Sequence, residues 1–152
     1  MLRRRLSDVD RAALHVAWRI FRETDPEAPI PDIPVVFASR WGEIGLTLEL
    51  MRQMQEEGEM SPAGFSMSVH NAAPGAWSLF TGSRAPYTAI AARERTYEMG
   101  LLESEAQILA GGVRRVLYVY AEESAPDFYM PEFGDGSPAS AIAQLLAPAT
   151  EV

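Results

Sequence analysis

The sequence predicts a single α/β domain with a layered, mainly parallel sheet and helices on both faces. Short apolar runs alternate along the chain with stretches of helical periodicity, which is the pattern of such a sheet. The run 116–120 is apolar at odd and at even positions, so both sides of the strand are apolar, as a central strand covered on two faces requires. With 152 residues, 47% of them hydrophobic, the chain suits one core spanning residues 1–152.

The ends of the expected helices carry recognisable signals. Ser7 followed by Asp10 resembles a capping box at the start of the first helix. Ser68 or a neighbour can cap the third helix, which tolerates Pro74 only in its first turn and can stop at Gly82. The expected elements are a helix over 8–23, a strand over 35–39, a helix over 43–57, a helix over 73–80, a strand over 87–91, a helix over 94–110 and a strand over 116–120.

Apolar spacing also predicts which helical residues face the core. The expected inner residues are Ile44, Leu48 and Met51 in the second helix, Ala73, Ala76, Trp77 and Phe80 in the third, and Met99, Leu102, Ala106 and Leu109 in the fourth. Residues 122–138 are acidic and rich in proline and glycine, so we expect an exposed loop there. The segment 139–147 fits either a short helix or a last strand.

Composition excludes several classes of function. A formal net charge of −8 argues against a nucleic-acid-binding surface, which needs clustered Lys and Arg. No window approaches the roughly 20 apolar residues of a membrane span, so we expect a soluble, cytoplasmic protein. The chain contains no cysteine and two histidines, His15 and His70, so we expect no metal, no cofactor and no thiol catalysis.

The run from Phe65 through Ser66, Ser68, His70 and Asn71 is the most distinctive in the chain. With the segments 37–43, 61–62, 82–86, 100–103 and 116–123, it resembles the first half of a β-ketoacyl synthase of the thiolase-like superfamily. The nearest match is the β-ketoacyl synthase-like N-terminal family, whose members are often described as chain length factors. The resemblance covers most of residues 35–125 and implies a link to fatty-acid-like and aryl polyene polyketide biosynthesis in Gram-negative bacteria.

The resemblance also implies where a nucleophile would stand. In the superfamily a cysteine lies at the N-terminus of a buried helix, where the helix dipole and backbone N–H groups favour its thiolate. Alignment from Pro86 puts this position at Glu94, and alignment from Gly112 puts it at Arg95. The superfamily's two catalytic histidines come from a second half, which we do not expect within these residues. We therefore expect a fragment, a misassigned start or a shortened natural form.

The favoured interpretation is a catalytically silent ketosynthase-like subunit or accessory. A ketosynthase subunit and an acyl carrier protein are the expected partners, and residues 87–91 are the expected strand at a homodimer or heterodimer interface. Arg93 and Arg95 could meet the phosphopantetheine phosphate of the carrier, or be solvated surface residues.

Two alternatives stay open. The segment 64–68 is close to the G-x-S-x-G sequence of the nucleophile elbow of α/β-hydrolases, with a serine in place of the last glycine. On this alternative, Ser66 or Ser68 is the nucleophile and His70 the base of an acyl-transfer or hydrolytic enzyme. We favour structural capping or packing for His70 and Asn71. The other alternative is a folded remnant without a biochemical role.

Overall fold

The computed structural model describes residues 6–23, 25–110, 112–129 and 138–149. Helices and strands alternate through most of this chain. The helices are α1 (Asp8–Arg22), α2 (Ile44–Glu57), the single turn α3 (Pro62–Phe65), α4 (Ala72–Thr81) and α5 (Thr96–Leu109), and the strands are β1 (Val35–Ala38), β2 (Tyr87–Ile90), β3 (Val116–Glu122) and β4 (Ser140–Leu146).

The four strands form one sheet in the order β2-β1-β3-β4. Strand β1 pairs in parallel with β2 and with β3, whereas β4 runs antiparallel to β3. The expected mainly parallel sheet and the interior position of β3 are confirmed. The ambiguous segment 139–147 forms the strand β4, because its backbone completes the open side of β3.

Helices cover both faces of the sheet. On one face, Val35, Phe37 and Leu117 pack with Ala17 of α1 and Trp77 of α4. On the other face, α5 packs on the alternate residues of the same strands, with contacts that join Val36, Ala38, Val116 and Tyr118 to Leu101 and Ile108. Because neighbouring strand residues point to opposite faces, a strand covered on both sides must be apolar throughout.

The helix signals are partly as expected. The hydroxyl of Ser7 accepts from the backbone N–H of Asp10 at 3.0 Å, and Pro74 lies in the first turn of α4. The expectation for Ser68 was wrong, because α4 begins after Asn71 and the hydroxyl of Ser68 donates to Phe65 O at 3.0 Å. Asn71 itself makes no side-chain cap bond to the helix.

The predicted inner faces of the helices need correction. Met51, Phe80, Leu102 and Leu109 are all exposed. Helix α5 instead turns its small residues Gly100 and Ser104 toward the sheet, together with Leu101 and Ile108. A Cβ at Gly100 would lie 2.5 Å from the Tyr118 ring and 2.9 Å from Ala38 Cβ. This close approach of backbone to sheet fixes the rotation of α5, and hydrophobic spacing alone could not reveal it.

Two boundaries also differ from the expectation. The helix expected over 94–110 begins at Thr96, and a 3₁₀ turn, Arg93–Arg95, precedes it. The expected acidic loop over 122–138 begins later, since Glu122 ends β3 and is partly buried. Residues 130–137 of that loop lie outside the described residues. Within the described ranges, no helix has the length and apolarity that a membrane crossing needs.

Replacement of Gly100 by alanine should destabilise the domain. The added methyl group would press on the Tyr118 ring and on Ala38, and overpacking of this kind costs about 1–3 kcal/mol. Gly75→Ala is the matched control, because Gly75 also lies in a helix and a Cβ there would meet nothing within 4 Å. Urea unfolding followed by circular dichroism measures both variants. Equal stability of the two would contradict the close α5–sheet contact.

Candidate functional site

The carboxyl ends of the three parallel strands meet at one edge of the sheet. Ala38 at the end of β1 pairs with Ile90 of β2 on one side and with Tyr120 of β3 on the other. The segments that leave this edge are 39–43, 91–95 and 122–123. Ligands of open α/β sheets bind outside the carboxyl ends of the strands, so this edge is the candidate site.

The carboxylate of Glu122 holds the loop that follows β1. It accepts hydrogen bonds from the Ser39 hydroxyl at 3.1 Å, from the backbone N–H of Trp41 at 3.3 Å and from that of Arg40. The Ser39 hydroxyl also accepts from the backbone N–H of Gly42 at 2.8 Å. Burial raises the pKa of Glu122, and these hydrogen bonds partly offset the rise. One side chain from β3 therefore fixes a loop more than 80 residues earlier in the chain.

His70 also packs on this loop. Its Nε2 lies 3.0 Å from the carbonyl oxygen of Ser39. Gly42, with φ of +55°, lies under the imidazole ring, and a Cβ there would come within 2.9 Å of it. The loop therefore needs glycine both for its left-handed backbone and for space. His70 therefore packs against the loop after β1.

The serines do not join His70 in a nucleophile–base pair. The hydroxyls of Ser66 and Ser68 donate to Ala63 O at 2.8 Å and to Phe65 O at 3.0 Å, both within their own turn. A nucleophile and its base must lie within hydrogen-bond reach of one another. Throughout residues 61–71, which the structure describes, no hydrogen bond links His70 to either serine.

Glu94 and Arg95, the two candidates that the resemblance gives for the nucleophile position, lie in the 3₁₀ turn between β2 and α5. Glu94 is inside this turn, and Arg95 immediately precedes α5. Arg93 has φ of +53°, the one positive φ at a non-glycine residue of the described chain. Such strained residues concentrate at functional sites. The Thr96 hydroxyl closes the turn, since it accepts from Ala92 N at 2.9 Å and donates to Arg93 O at 2.7 Å.

An ion pair crosses the edge from the β1 loop to this turn. Nη2 of Arg40 donates to Oε1 of Glu94 at 3.0 Å, although the residues are 54 positions apart in sequence. The guanidinium of Arg40 also lies over the Trp41 ring, 4.6 Å from its centroid. Sequence reasoning found Glu94 and missed Arg40. The segment 37–43 belonged to the resemblance, but nothing in it showed that Arg40 would reach the turn.

Further acidic side chains lie near the start of α2, next to the loop that follows β1. Glu123 accepts from the backbone N–H of Gly45 at 2.6 Å, where the helix dipole favours a carboxylate. Burial raises the pKa of Glu123, and it also raises the pKa of Asp10. Glu43 is buried beside Asp10, and desolvation first, then the charge of Asp10, raises the pKa of Glu43 to about 8. Near neutral pH, Glu43 therefore keeps its proton in the folded chain.

The class of protein follows from this arrangement. A sheet with the order β2-β1-β3-β4, helices on both faces and a strained turn at its carboxyl edge forms the ketosynthase N-terminal half of the thiolase-like fold. A profile of the family described as the β-ketoacyl synthase N-terminal domain matches residues 1–152. The chain belongs to this family.

Solved structures agree with that assignment. The chain is similar to a chain in the complex of the ketosynthase ApeO with its chain length factor ApeC from Xenorhabdus doucetiae, with a TM-score of 0.84 and 28% identity over 96% of this chain. The ishigamide ketosynthase/chain length factor matches 95% of the chain with a TM-score of 0.82 at 16% identity, which shows the fold alone. The chain spans 59% and 44% of the lengths of these two relatives. No curated protein matches it.

The raised pKa of Glu43 predicts how stability depends on pH. Because folding raises this pKa from 4.5 to about 8, the folded chain binds more protons than the unfolded chain between these values. The free energy of unfolding should therefore fall as pH rises through that range and level off above it. Glu43→Gln should make the decline shallower, and urea unfolding across the range measures it. Glu105→Gln, at an exposed acid, is the control. An unchanged slope in E43Q would contradict the assignment.

Proposed function

We propose that this chain is a catalytically silent, chain-length-factor-like subunit of an acyl-chain condensing system, with a ketosynthase and an acyl carrier protein as partners. One observation carries the proposal: the resemblance puts the family nucleophile at Glu94 or Arg95, and neither side chain is a thiol; Glu94 pairs with Arg40. The similar complexes of a ketosynthase with its chain length factor supply the class of partner.

The residues at the candidate site support the proposal that this chain does not catalyse acyl condensation. Condensation through an acyl-enzyme needs a thiolate, and the 152 residues include no cysteine. The Glu94 carboxylate, which pairs with the Arg40 guanidinium, offers no thiol for this step. On this proposal the partner supplies the cysteine and histidines, while this chain completes the dimer interface or shapes the tunnel for the growing acyl chain.

An outermost strand of the sheet, β2, supports the proposed mode of association. It lies at one end of the sheet and pairs with β1 alone among the described strands. Val35 N donates to Pro86 O and Ser39 N donates to Ile90 O, each at 3.1 Å. In a parallel ladder these bonds turn the backbone of alternate residues toward β1, so the N–H of Ala89 points to the open side. An open row of this kind can pair with a strand from another chain.

The first test concerns catalysis. The chain is incubated with acyl-carrier thioesters, and its intact mass is measured. We expect no acyl adduct, because the described chain brings no base to Ser66 or Ser68 and the sequence lacks a thiol. A ketosynthase with its cysteine intact is the positive control. A stable acyl adduct on either serine would overturn the proposal in favour of the serine-dependent enzyme.

The second test concerns association. Ala89→Pro should remove the outward N–H while the bonds to β1 remain, and so weaken assembly with a ketosynthase or with a second copy. Ala89→Ser keeps the N–H and is the matched control. Light scattering coupled to size exclusion measures the assembly, with and without a candidate ketosynthase. If the unmodified chain stays monomeric under both conditions, the subunit proposal fails and a remnant without a role is favoured.

A further inference from the structure

The Arg40–Glu94 pair consists of one fixed partner and one exposed partner. The Arg40 side chain is only 17% exposed, and it lies over the Trp41 ring. The backbone N–H groups of Arg40 and Trp41 are both held by Glu122. The guanidinium therefore occupies a defined place before any anion reaches it. The Glu94 side chain, by contrast, is 72% exposed.

This asymmetry determines what the pair can do. Ion pairs with an exposed member are weak, because water and salt screen the attraction and the exposed side chain loses rotamer freedom. Departure of the Glu94 carboxylate into solvent would therefore cost little. Departure of Arg40 would disturb the contact with Trp41 and a loop held by three hydrogen bonds to Glu122. If another anion binds here, we expect it to displace the Glu94 carboxylate while the Arg40 guanidinium stays in place.

We propose that Arg40 forms an anion-binding site at the carboxyl edge of the sheet, which the chain's own Glu94 carboxylate fills and which a carboxylate or phosphate group of a ligand can occupy in its place. The planar guanidinium suits both kinds of oxyanion, because its N–H donors match two oxygens at once. Arg93 and Arg95 flank Glu94 in the sequence, and both residues are exposed. This site does not depend on the proposed subunit role, and it can be tested on the isolated chain.

An introduced thiol reports the electrostatics directly, because the chain has no other cysteine. In E94C the thiol would stand beside Arg40, and a cation beside a thiol lowers its pKa. We expect an apparent pKa about one unit below the ordinary value near 8.5, which gives about tenfold more thiolate at neutral pH. The pH dependence of alkylation by iodoacetamide measures it. E98C, one turn further along α5 and exposed, is the matched control.

A second substitution identifies the source of the shift. In the E94C background, R40Q should return the thiol pKa to that of E98C, whereas R40K should keep part of the shift because it keeps the charge. High salt should reduce the difference between E94C and E98C, since the site is partly exposed. The proposal is overturned if E94C titrates like E98C, or if R40Q leaves the shift unchanged.

Binding of external anions gives an independent readout. In E94Q a neutral amide replaces the internal carboxylate, so an external anion meets no charged competitor at Arg40. The Nε–H resonance of Arg40 should then shift saturably with added inorganic phosphate or acetate. Half-saturation should need about tenfold less anion than in the unmodified chain. R40Q assigns the resonance by its loss. A response to phosphate alone indicates a phosphate monoester as the ligand, and a response to acetate alone indicates a carboxylate. No saturable response to either anion would overturn the site.

Discussion

The Glu122 carboxylate is the interaction on which the candidate site depends. It reaches from the end of β3 to the loop after β1 and accepts three hydrogen bonds there. Strand geometry explains why it can do so. Tyr118, Tyr120 and Glu122 share one face of β3, and that face also carries α5. The acid therefore emerges on the side of the sheet where the turn before α5 lies.

The fold was largely predictable, because it follows from patterns within short stretches of sequence. Two-sided apolar character placed β3 inside the sheet, and glycines stopped α2 and α4 where expected. The faces of α5 were not predictable from such patterns. Leu102 and Leu109 have the spacing of core residues, yet Gly100 faces the sheet because a small residue lets the helix backbone approach Tyr118. A prediction from hydrophobic spacing assigns large apolar residues to the core. In α5 the close contact between helix and sheet instead requires the smallest residue, Gly100, at that place.

The candidate site was predictable only in part, and the reason is sequence distance. The resemblance marked Glu94 and Arg95, and the structure places both in the turn before α5. Their environment is built by Arg40, from the loop after β1, and by Glu122, which ends β3 and holds that loop. Glu122 in particular lies at the start of an acidic segment that is otherwise typical of an exposed loop. A carboxylate that binds backbone N–H groups far along the chain has the same sequence signature as one that faces solvent.

If Glu94 corresponds to the family's cysteine, as the resemblance implies, the electrostatics of the site account for a carboxylate in place of a thiolate. Both are anions, and a strained strand-to-helix turn favours negative charge through the backbone N–H groups that follow it. An arginine fixed beside the turn favours any anion at that place, whatever its chemistry. On this alignment, a carboxylate in place of the sulfur would lack the nucleophile and keep the negative charge. The buried acids behind the loop show the opposite case. Burial raises the pKa of Glu43 to about 8, and no arginine is described beside it, so near neutral pH this acid keeps its proton.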